Sequence, residues 1–536
     1  MPSILKRIGK LCRAQPVRQI SITSRGKLIH PDELFAYTNG HFLVDEPRQL
    51  ARRYVSFNLD ALCSIAAGAG GVSSPITAIE KMEGGFSKAF LMRKQNGEEV
   101  IAKIPCRNAG PSVLTTASEV AVLEYVRHHT SIPVPRVFCW DSDSSNSVGV
   151  EYLIMEKAPG IPLFQRWGEM PELARMELIK NLTKLESELS AIRFPAYGGL
   201  YLCSSDAHPL DSFPLDHSID PSKSYYLGST CDRSFHFDKG EKAPRPNINA
   251  GVNSGPWSSL SELGISIARR EILRITQNPP ETKGTFHHGT VEEQIHLLEI
   301  AIPVMQQLDS HPILSQFSQP VLWHTDLHMG NIFVSSNDNS KVVSLIDWQS
   351  SSILPAFLQA QWPDFLKPPR KYVKGFVHPK LPENFDELDE ESKSIALYEW
   401  NQAKMTKAYE VSNYLENRAA HNAMNAPPVF KELFVRCGET SEFGVLPLRE
   451  CLIEISLNWT SLGFEVNSKE YESWHRIQQL ARDCLDTDED GWIAPDLDIV
   501  EKRRKNRELL AMLVEQMAGE KSPEEARRMW PYPDGN

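Results

Sequence analysis

The sequence predicts an α+β protein of two lobes, in which a small mixed sheet with one main helix precedes a larger, mostly helical lobe. Three observations predict this fold. Short apolar runs between residues 77 and 104 are separated by Gly84-Gly85 and by Asn96-Gly97, a dipeptide typical of hairpin turns. Apolar residues at helical spacing follow over 116–129. The stretch 158–162, rich in proline and glycine, then interrupts the chain, and most later patterns are helical.

The strands of the small lobe are predicted from short runs of apolar residues. These runs cover Ala89–Met92, Val100–Ile104, Val137–Trp140 and Val148–Met155. The helix between the second and third runs should end at Ile132–Pro135, because proline cannot continue a helix. The predicted order is therefore a glycine turn, strand, hairpin, strand, helix, strand and strand.

The remaining chain divides into segments by composition and periodicity. We expect a targeting segment at 1–30, the small lobe at 31–157, the large lobe at 158–500 and a helical tail at 501–536. Residues 204–256 are polar and are expected to form a surface insertion with little regular structure. Helical patterns in the large lobe and the tail cover 171–192, 258–276, 291–309, 391–420, 445–485 and 497–519.

Composition and charge exclude several classes of protein. The chain has 536 residues with 41% hydrophobic and 24% charged residues, which is ordinary for a globular protein. A net charge of −12 argues against nucleic-acid binding, which needs a basic surface. No apolar stretch is long enough for a transmembrane helix. Nine scattered cysteines without a C-x-x-C pair indicate free thiols in a reducing compartment.

The N-terminus differs from this average. Residues 1–30 carry seven basic side chains and no acidic one. Ile4, Leu5, Ile8, Leu11 and Cys12 would share one helical face, with basic residues opposite. This pattern resembles a mitochondrial transit peptide, and a flexible basic tail is the alternative.

The most informative motif lies in the middle of the chain. His324, Asp326 and Asn331 form H-x-D-x-x-x-x-N, and Ile346-Asp347 follows an apolar run. This set resembles the catalytic apparatus of kinases. Asp326 would orient the acceptor hydroxyl or accept its proton, and His324 is expected to support the loop more than to perform chemistry. Asn331 and Asp347 would supply oxygen ligands to magnesium, a hard cation.

Residues of the small lobe support the same interpretation. Lys103 resembles the strand lysine that pairs with the α- and β-phosphates of ATP. Glu119 would form an ion pair with it, although Thr116-x-x-Glu119 also reads as a helix capping box. Gly84 and Gly85 would let the backbone approach phosphates. The backbone groups of Glu156 and Ala158 are candidates for contacts to adenine.

With I-D-W in place of D-F-G, the chain resembles the aminoglycoside-phosphotransferase family of kinase-like enzymes. Further similarity to a fungal, mitochondrial branch of this family covers roughly residues 33–500. One departure is Thr325, where that branch is expected to have proline. The segments that carry the similarity are Ile101–Pro105, Leu114–Glu119, Ile132–Pro135, Tyr152–Gly160, Pro195–Tyr201, Gly255–Ile275, Pro320–Val334 and Leu345–Gln349.

The resemblance implies a protein-kinase-like fold, ATP and Mg²⁺ as cofactors, and transfer of the γ-phosphate to a hydroxyl of a small molecule. A mitochondrial nucleotide-binding pseudokinase or scaffold is one alternative. A protein kinase is a weaker one, because the chain lacks D-F-G and A-P-E. The acceptor, the oligomeric state and any regulator cannot be derived from the sequence.

One acidic motif imitates a calcium loop. Asp486-x-Asp488-x-Asp490-Gly491 matches the start of an EF-hand, but position 12 is Leu497 where a bidentate glutamate is needed. We therefore expect an acidic turn rather than a calcium site.

Overall fold

The computed structural model describes most of the chain between residues 20 and 532. Residues 1–19 of the predicted targeting segment, and 204–211 and 236–252 of the predicted insertion, lie outside the described residues. The described residues are 20–203, 212–235, 253–277, 289–464, 478, 481–482, 484–487, 491–494, 497–518, 522–528 and 530–532.

The small lobe is built on a seven-stranded sheet with the strand order β2-β1-β3-β4-β5-β7-β6. Neighbouring strands are antiparallel except β1 and β3, which run parallel. The strands are β1 (Ser21–Ser24), β2 (Lys27–Leu28), β3 (Ile76–Glu83), β4 (Ser87–Lys94), β5 (Glu99–Pro105), β6 (Val137–Asp141) and β7 (Tyr152–Glu156).

Helices cover both faces of this sheet. They are α2 (Leu59–Gly68) and α3 (Leu114–His129), and α1 (Glu46–Arg53) precedes them in the chain. In β5, Ala102 packs in the cluster that contains Leu62 of α2, whereas Ile101 packs in the cluster that contains Val122 of α3. Because side chains alternate along a strand, Lys103 lies on the same face as Ile101. Alternation in the sequence thus directs this lysine toward α3.

The sheet begins earlier in the chain than the sequence indicates. Strand β1 lies within the segment 1–30 and pairs with β3 over four residues, from Ser21 with Ala78 to Ser24 with Lys81. Neither β1 nor the helices α1 and α2 follow from the sequence patterns above. A targeting segment that leaves the sheet intact would have to end before Ser21.

The large lobe is mostly helical. Helices α5, α6, α10 and α12 enclose its core with side chains such as Leu263, Leu298, Phe430 and Leu448. Its helices are α4 (Glu172–Ala191), α5 (Leu260–Gln277), α6 (Val291–Gln306), α7 (Ala356–Gln359), α8 (Glu390–Glu416), α9 (Arg418–Met424), α10 (Pro428–Gly438), α11 (Thr440–Phe443) and α12 (Val445–Leu457). In the tail, α13 spans Ile499–Gln516 and α14 spans Pro523–Arg528.

Two of the stretches with a helical pattern are divided in the structure. The pattern over 391–420 is divided at Asn417, whose side chain accepts a hydrogen bond from the Ala420 N–H and caps α9. The pattern over 445–485 begins with α12, which ends at Leu457, and among the described residues helical backbone recurs at 478, 481–482 and 484–485. In both cases the apolar spacing locates the helix, but local backbone interactions set its end.

Short strands of the large lobe carry the loops of the central motif. They are β8 (Ile161–Pro162), β9 (Gly199–Leu202), β10 (Phe213–Pro214), β11 (Tyr225–Gly228), β12 (Pro320–Leu322), β13 (Ile332–Val334), β14 (Val342–Leu345) and β15 (Ile353–Pro355). Strands β14, β13 and β8 form one antiparallel sheet, and β12 pairs with β15.

The described part of the polar insertion is more ordered than expected. It contains β10 and β11, and β11 pairs with β9. Tyr225 and Leu227 are buried in the core cluster that includes α3. The Tyr225 ring contacts the Tyr125 ring edge-on at a centroid distance of 5.1 Å. A few apolar residues in a polar stretch are thus sufficient to attach it to both lobes.

The predicted α+β fold with two kinase-like lobes is confirmed. In the described part of the chain, no helix combines the length and the apolar character that crossing a membrane requires. All eight cysteines within that part are free thiols.

Gly160, in the interruption that follows the small lobe, lets the chain lie close to β13 and β14 of the large lobe. Its φ is +87°, and a Cβ atom there would lie 2.4 Å from the Val334 carbonyl oxygen and 2.5 Å from Cγ2 of Val343. Gly97 has a similar φ of +89°, but a Cβ atom there would meet nothing within 4 Å. An added side chain would therefore cause backbone strain at both positions, but a steric clash only at Gly160.

We expect Gly160→Ala to destabilise the protein more than Gly97→Ala does. Both substitutions add left-handed strain of about 1–2 kcal/mol, and overpacking at Gly160 adds about 1–3 kcal/mol. Urea unfolding of the two variants measures the difference. Equal losses of unfolding free energy would contradict the close approach at Gly160.

Candidate active site between the two lobes

The central motif occupies two loops that antiparallel pairing brings together. The first loop, Trp323–Asn331, connects β12 to β13, and Asp347 lies just after β14. The Ile346 N–H donates to the Asn331 carbonyl at 3.0 Å, which extends the pairing of β13 with β14 into both loops. Asp347 has a φ of +64°, a backbone conformation that non-glycine residues rarely adopt. Strained backbone of this kind is concentrated at functional sites.

His324 joins these two loops. Its Nε2–H donates to the Ile346 carbonyl at 2.9 Å, and its Nδ1 accepts from the Asp326 N–H at 3.3 Å. The imidazole packs edge-on against the Trp348 ring at a centroid distance of 4.6 Å. Burial lowers the pKa of His324, and the hydrogen bond to Ile346 offsets this effect in part. A neutral ring that uses both nitrogens supports the loop and is not a free acid or base.

Asn331 holds the Asp326 loop from its other end. Its Nδ2 donates to the Asp326 carbonyl at 2.9 Å, so the amide oxygen is the atom left for a cation. The Asn331 side chain is buried, whereas Asp326 is exposed. The loop therefore presents a carboxylate to the solvent from a backbone that buried polar groups fix in place.

Lys103 connects the small lobe to the second loop. Its ammonium lies 2.6 Å from Oε1 of Glu119 and 2.7 Å from Oδ1 of Asp347. Burial would lower the pKa of Lys103, but the charges of Asp347 and Glu119 outweigh burial and raise it. The positive charge of Lys103 in turn lowers the pKa of Asp347. Both groups are therefore charged at neutral pH.

Glu119 takes the position of an ion-pair partner rather than of a helix cap. Helix α3 begins at Leu114 with Val113 before it, so Thr116 lies inside the helix and no capping box forms. Glu119 is 4% exposed. A carboxylate at this depth needs a charged partner, which Lys103 supplies.

The glycine pair lies in the turn between β3 and β4. The Gly84 N–H donates to the Ser87 carbonyl at 3.0 Å, and the Gly85 carbonyl accepts from Nε of Arg53 at 3.1 Å. No atom lies within 4 Å of a Cβ built at Gly85, and at Gly84 the nearest is the Ser87 carbonyl oxygen at 4.0 Å. The fold itself does not demand glycine here, so the space above the turn is available to a ligand.

The end of β7 gives a mixed result for the two residues assigned to adenine. The Glu156 N–H donates to the Arg136 carbonyl at 2.8 Å and is already occupied. A contact from Glu156 to adenine would have to use its carbonyl. Ala158 lies half-buried two residues after the strand.

A pocket of about 320 Å³ opens beside Asp326. Glu186 of α4 reaches it from the interior and is 3% exposed. Its Oε2 accepts from the Tyr409 hydroxyl at 2.9 Å, and within the described chain its buried Oε1 has no partner. Burial raises the pKa of Glu186 to about 8. The other residues around the pocket are Trp323, His324, Thr325, Leu327, His328, Gln361, Trp362, Pro363, Asp364 and Lys367.

The sequence interpretation did not include Glu186. A signal for it exists, because Glu186 falls four residues after Leu182 and three before Leu189 on the apolar face of α4. A carboxylate on the buried face of a helix is rare unless it is paired or functional.

The donor set suits magnesium better than a transition metal. Asp347 and Asn331 offer oxygen atoms, and magnesium usually takes one or two protein oxygens together with phosphate oxygens and water. Within the described residues, no group of three or more His, Cys, Asp or Glu side chains could hold a metal by itself. Asp486 of the acidic turn forms an ion pair with Lys502, and Asp488 and Asp490 lie outside the described residues.

The structure thus brings the predicted residues of both lobes into one connected set. Lys103 contacts Glu119 and Asp347, His324 joins the Asp347 loop to Asp326, and Asn331 contacts Asp326. The glycine turn and the end of β7 both precede Gly160 in the chain and belong to the small lobe.

Comparisons with known proteins show which proteins the chain is similar to. The chain is 30% identical over 504 residues to a subtelomeric hrmA-associated cluster protein of Aspergillus fumigatus, over 84% of this chain and 96% of that protein. It is 24% identical over 351 residues to altered inheritance of mitochondria protein 9 of Candida tropicalis, over 60% of this chain and 55% of that protein. For the protein of the same name from Meyerozyma guilliermondii, identity is 21% over 538 residues and 87% of each chain.

Among solved structures, an aminoglycoside phosphotransferase in complex with GDP and kanamycin aligns with 76% of this chain and 96% of its own, at 15% identity and a TM-score of 0.35. The model of the phosphotransferase enzyme family matches residues 78–357, just over half of the chain. The resemblance stated from the central motif is confirmed, and the chain belongs to the phosphotransferase enzyme family.

Proposed function

We propose that the protein is an ATP- and magnesium-dependent phosphotransferase that transfers the γ-phosphate to a hydroxyl of a small molecule. The observation that carries the proposal is the Lys103 ammonium, which contacts both Glu119 and Asp347 in a buried position between the lobes. Phosphoryl transfer needs positioned charge more than covalent chemistry, and this arrangement supplies it.

Asp326 has the role of orienting the acceptor hydroxyl and accepting its proton. The acceptor oxygen forms a bond to the γ-phosphorus as the bond from phosphorus to the bridging oxygen of ADP breaks. The hydroxyl proton moves to the Asp326 carboxylate, and ADP and a phosphate ester leave. The exposed position of Asp326 at the edge of the pocket supports this role.

Lys103 has the role of pairing with the α- and β-phosphates, and Glu119 keeps its ammonium in place. Asp347 and the amide oxygen of Asn331 would hold magnesium, which neutralises charge on the phosphates. Backbone at Gly84 and Gly85 covers the phosphates from above.

In this proposal the adenine ring lies at the end of β7, against the Glu156 carbonyl and Ala158. The open space at Gly85 supports the phosphate position, and the Asn331 amide oxygen, which the hydrogen bond from Nδ2 leaves unused, supports the magnesium position.

The acceptor is proposed to be a small molecule. The pocket of about 320 Å³ beside Asp326 is at the small end of the range for ligand sites. Its aromatic and carboxylate lining can enclose a compact polar acceptor. A polypeptide acceptor is disfavoured, because the chain lacks the D-F-G and A-P-E motifs that delimit the peptide-docking segment of protein kinases.

The protein is further proposed to act in mitochondria. The basic N-terminal segment and the mitochondrial names of several relatives support this location. The sheet starts at Ser21, so the proposed targeting signal is contained in residues 1–20.

The role of Asp347 is testable through ligand-induced stabilisation. At about 100 times its dissociation constant, a ligand stabilises a protein by roughly 2.7 kcal/mol. We expect MgATP to raise the melting temperature of the wild type and a chelator to reduce this shift. Asp347→Asn should lose most of the magnesium-dependent part of this shift in melting temperature. The shift of the variant is measured against its own ligand-free melting temperature.

Asp326→Asn is the matched variant in this experiment, because it should keep the MgATP shift and lose turnover of ATP. A full magnesium-dependent shift in Asp347→Asn would contradict the metal assignment. If ATP lost its γ-phosphate at the same rate with Asp326→Asn as with the wild type, the result would favour a nucleotide-binding scaffold over an enzyme.

Glu186 should make stability depend on pH. Its folded-state pKa of about 8 exceeds the unfolded value of 4.5, so the folded state binds the proton more tightly. Its stabilising contribution is complete below about pH 4.5 and is lost as the pH rises to about 8, with about 1.4 kcal/mol for each unit of the shift.

We therefore expect Glu186→Gln to become more stable relative to the wild type between pH 5 and 8, and the difference to level off above pH 8. Thermal unfolding across this range measures it. Glu177→Gln changes an exposed glutamate of the same helix and serves as the control. Parallel profiles of stability against pH for Glu186→Gln and the wild type would refute the raised pKa of Glu186.

Mitochondrial targeting is tested by fusing residues 1–20 to a fluorescent reporter in a fungal cell. We expect the fusion to localise to mitochondria, because a basic amphipathic segment is typical of transit peptides. A control fusion replaces Lys6, Arg7, Lys10 and Arg13 with glutamine and should stay in the cytosol. A diffuse signal from the unmodified fusion would reject the targeting proposal.

A further inference from the structure

Arg233 of the insertion reaches the glycine turn of the small lobe. Its guanidinium carbon lies 3.6 Å from the centroid of the Phe86 ring, and Phe86 directly follows Gly84 and Gly85. Phe86 is 41% exposed, so this contact forms at the opening of the cleft and not in the core. A residue of the large lobe therefore lies beside the turn that is proposed to contact phosphates.

The segment around Arg233 is attached to its surroundings by buried contacts. Nη1 of Arg270 in α5 donates to the Ser234 hydroxyl at 2.5 Å, and the Arg270 guanidinium stacks on the Phe235 ring at 4.7 Å. Phe235 in turn packs against Trp257 at a centroid distance of 5.2 Å. These contacts hold the backbone of Arg233 on the large lobe.

Cys231 attaches the same segment to the small lobe and to the Asp347 loop. Its thiol is fully buried and lies 3.6 Å from the Ser118 hydroxyl of α3 and 3.8 Å from the Ser352 hydroxyl. Arg233 thus extends from a backbone that contacts α3, α5 and the loop after Asp347. Its position beside the turn is set by packing and not by the flexible side chain alone.

The guanidinium is also within electrostatic reach of Asp326. Partial burial lowers the pKa of Arg233, and the charges of Asp232 and Asp326 raise it. Within the described residues, Arg233 forms no ion pair closer than 4.0 Å. Stacking on Phe86 uses the face of the guanidinium and leaves the N–H groups at its edge for a ligand. Arg233 therefore places positive charge beside the glycine turn, at a distance where its charge interacts with that of Asp326.

We propose that Arg233 binds the γ-phosphate of the nucleotide and is a further catalytic residue, contributed by the insertion. This proposal rests on the proposed function, in which the γ-phosphate lies between the turn at Gly84-Gly85 and Asp326. A planar guanidinium can donate two parallel hydrogen bonds to phosphate oxygens. During transfer, negative charge is spread over the three equatorial oxygens of the phosphoryl group, and a fixed cation stabilises it.

The test compares two nucleotides that differ in the γ-phosphate. Isothermal calorimetry measures the binding of MgADP and of magnesium AMP-PNP to the wild type, Arg233→Ala and Arg233→Lys. For Arg233→Ala we expect a loss of about tenfold or more for AMP-PNP, since a hydrogen bond to a charged group is lost. The change for MgADP should stay below about twofold. Arg233→Lys should bind AMP-PNP with an intermediate affinity, because lysine keeps the positive charge but lacks the planar guanidinium that donates two parallel hydrogen bonds.

Arg418→Ala is the matched control, because the exposed Arg418 stacks on Tyr414 at 3.4 Å within the helical lobe. It should bind both nucleotides as the wild type does. If Arg233→Ala bound AMP-PNP with wild-type affinity, or lost affinity equally for both nucleotides, the proposal would be overturned. A wild type that binds neither nucleotide would instead overturn the proposed function on which it rests.

Discussion

The site depends on one buried cation between two carboxylates. Lys103 contacts Glu119 of α3 and Asp347 of the loop after β14, so a single ammonium connects the sheet, the main helix of the small lobe and the large lobe. Removing one partner from such a buried set leaves an uncompensated charge, which costs about 3–5 kcal/mol. The set carries one positive and two negative charges when all three groups are ionised. A second cation near Asp347 would therefore balance the remaining negative charge.

The sequence predicted the parts of this site that depend on spacing along the chain. Alternation in β5 placed Lys103 beside Ile101, and helical spacing placed Glu119 inward on α3. The motif from His324 to Asp347 follows from residue types at fixed distances. The sequence left the function of Glu119 open between an ion pair and a capping box, because the start of α3 was uncertain. The structure resolves it through a helix that begins two residues before Thr116.

Other parts could not be predicted, because they depend on contacts between distant segments. Strand β1 is four residues long and polar, and it is defined by parallel pairing with β3 more than fifty residues away. The spacing along α4 shows that Glu186 is buried. Its place in a pocket could not be predicted, because residues around Asp326 complete that pocket. Arg233 lies in a stretch that composition describes as polar surface, although Cys231 and Phe235 on either side are buried.

The two halves of the cleft differ in how they are held. Around Lys103, charged side chains contact each other directly, whereas the Asp326 loop is held by backbone hydrogen bonds to His324 and Asn331. His324 can accept from the Asp326 N–H and donate to Ile346 only as the neutral imidazole with its proton on Nε2. Burial, which lowers the pKa of His324, thus maintains the one form that keeps both bonds. Protonation would replace the acceptor at Nδ1 with a donor facing the Asp326 N–H. The loop that carries the candidate base therefore owes its geometry to the neutral imidazole of His324.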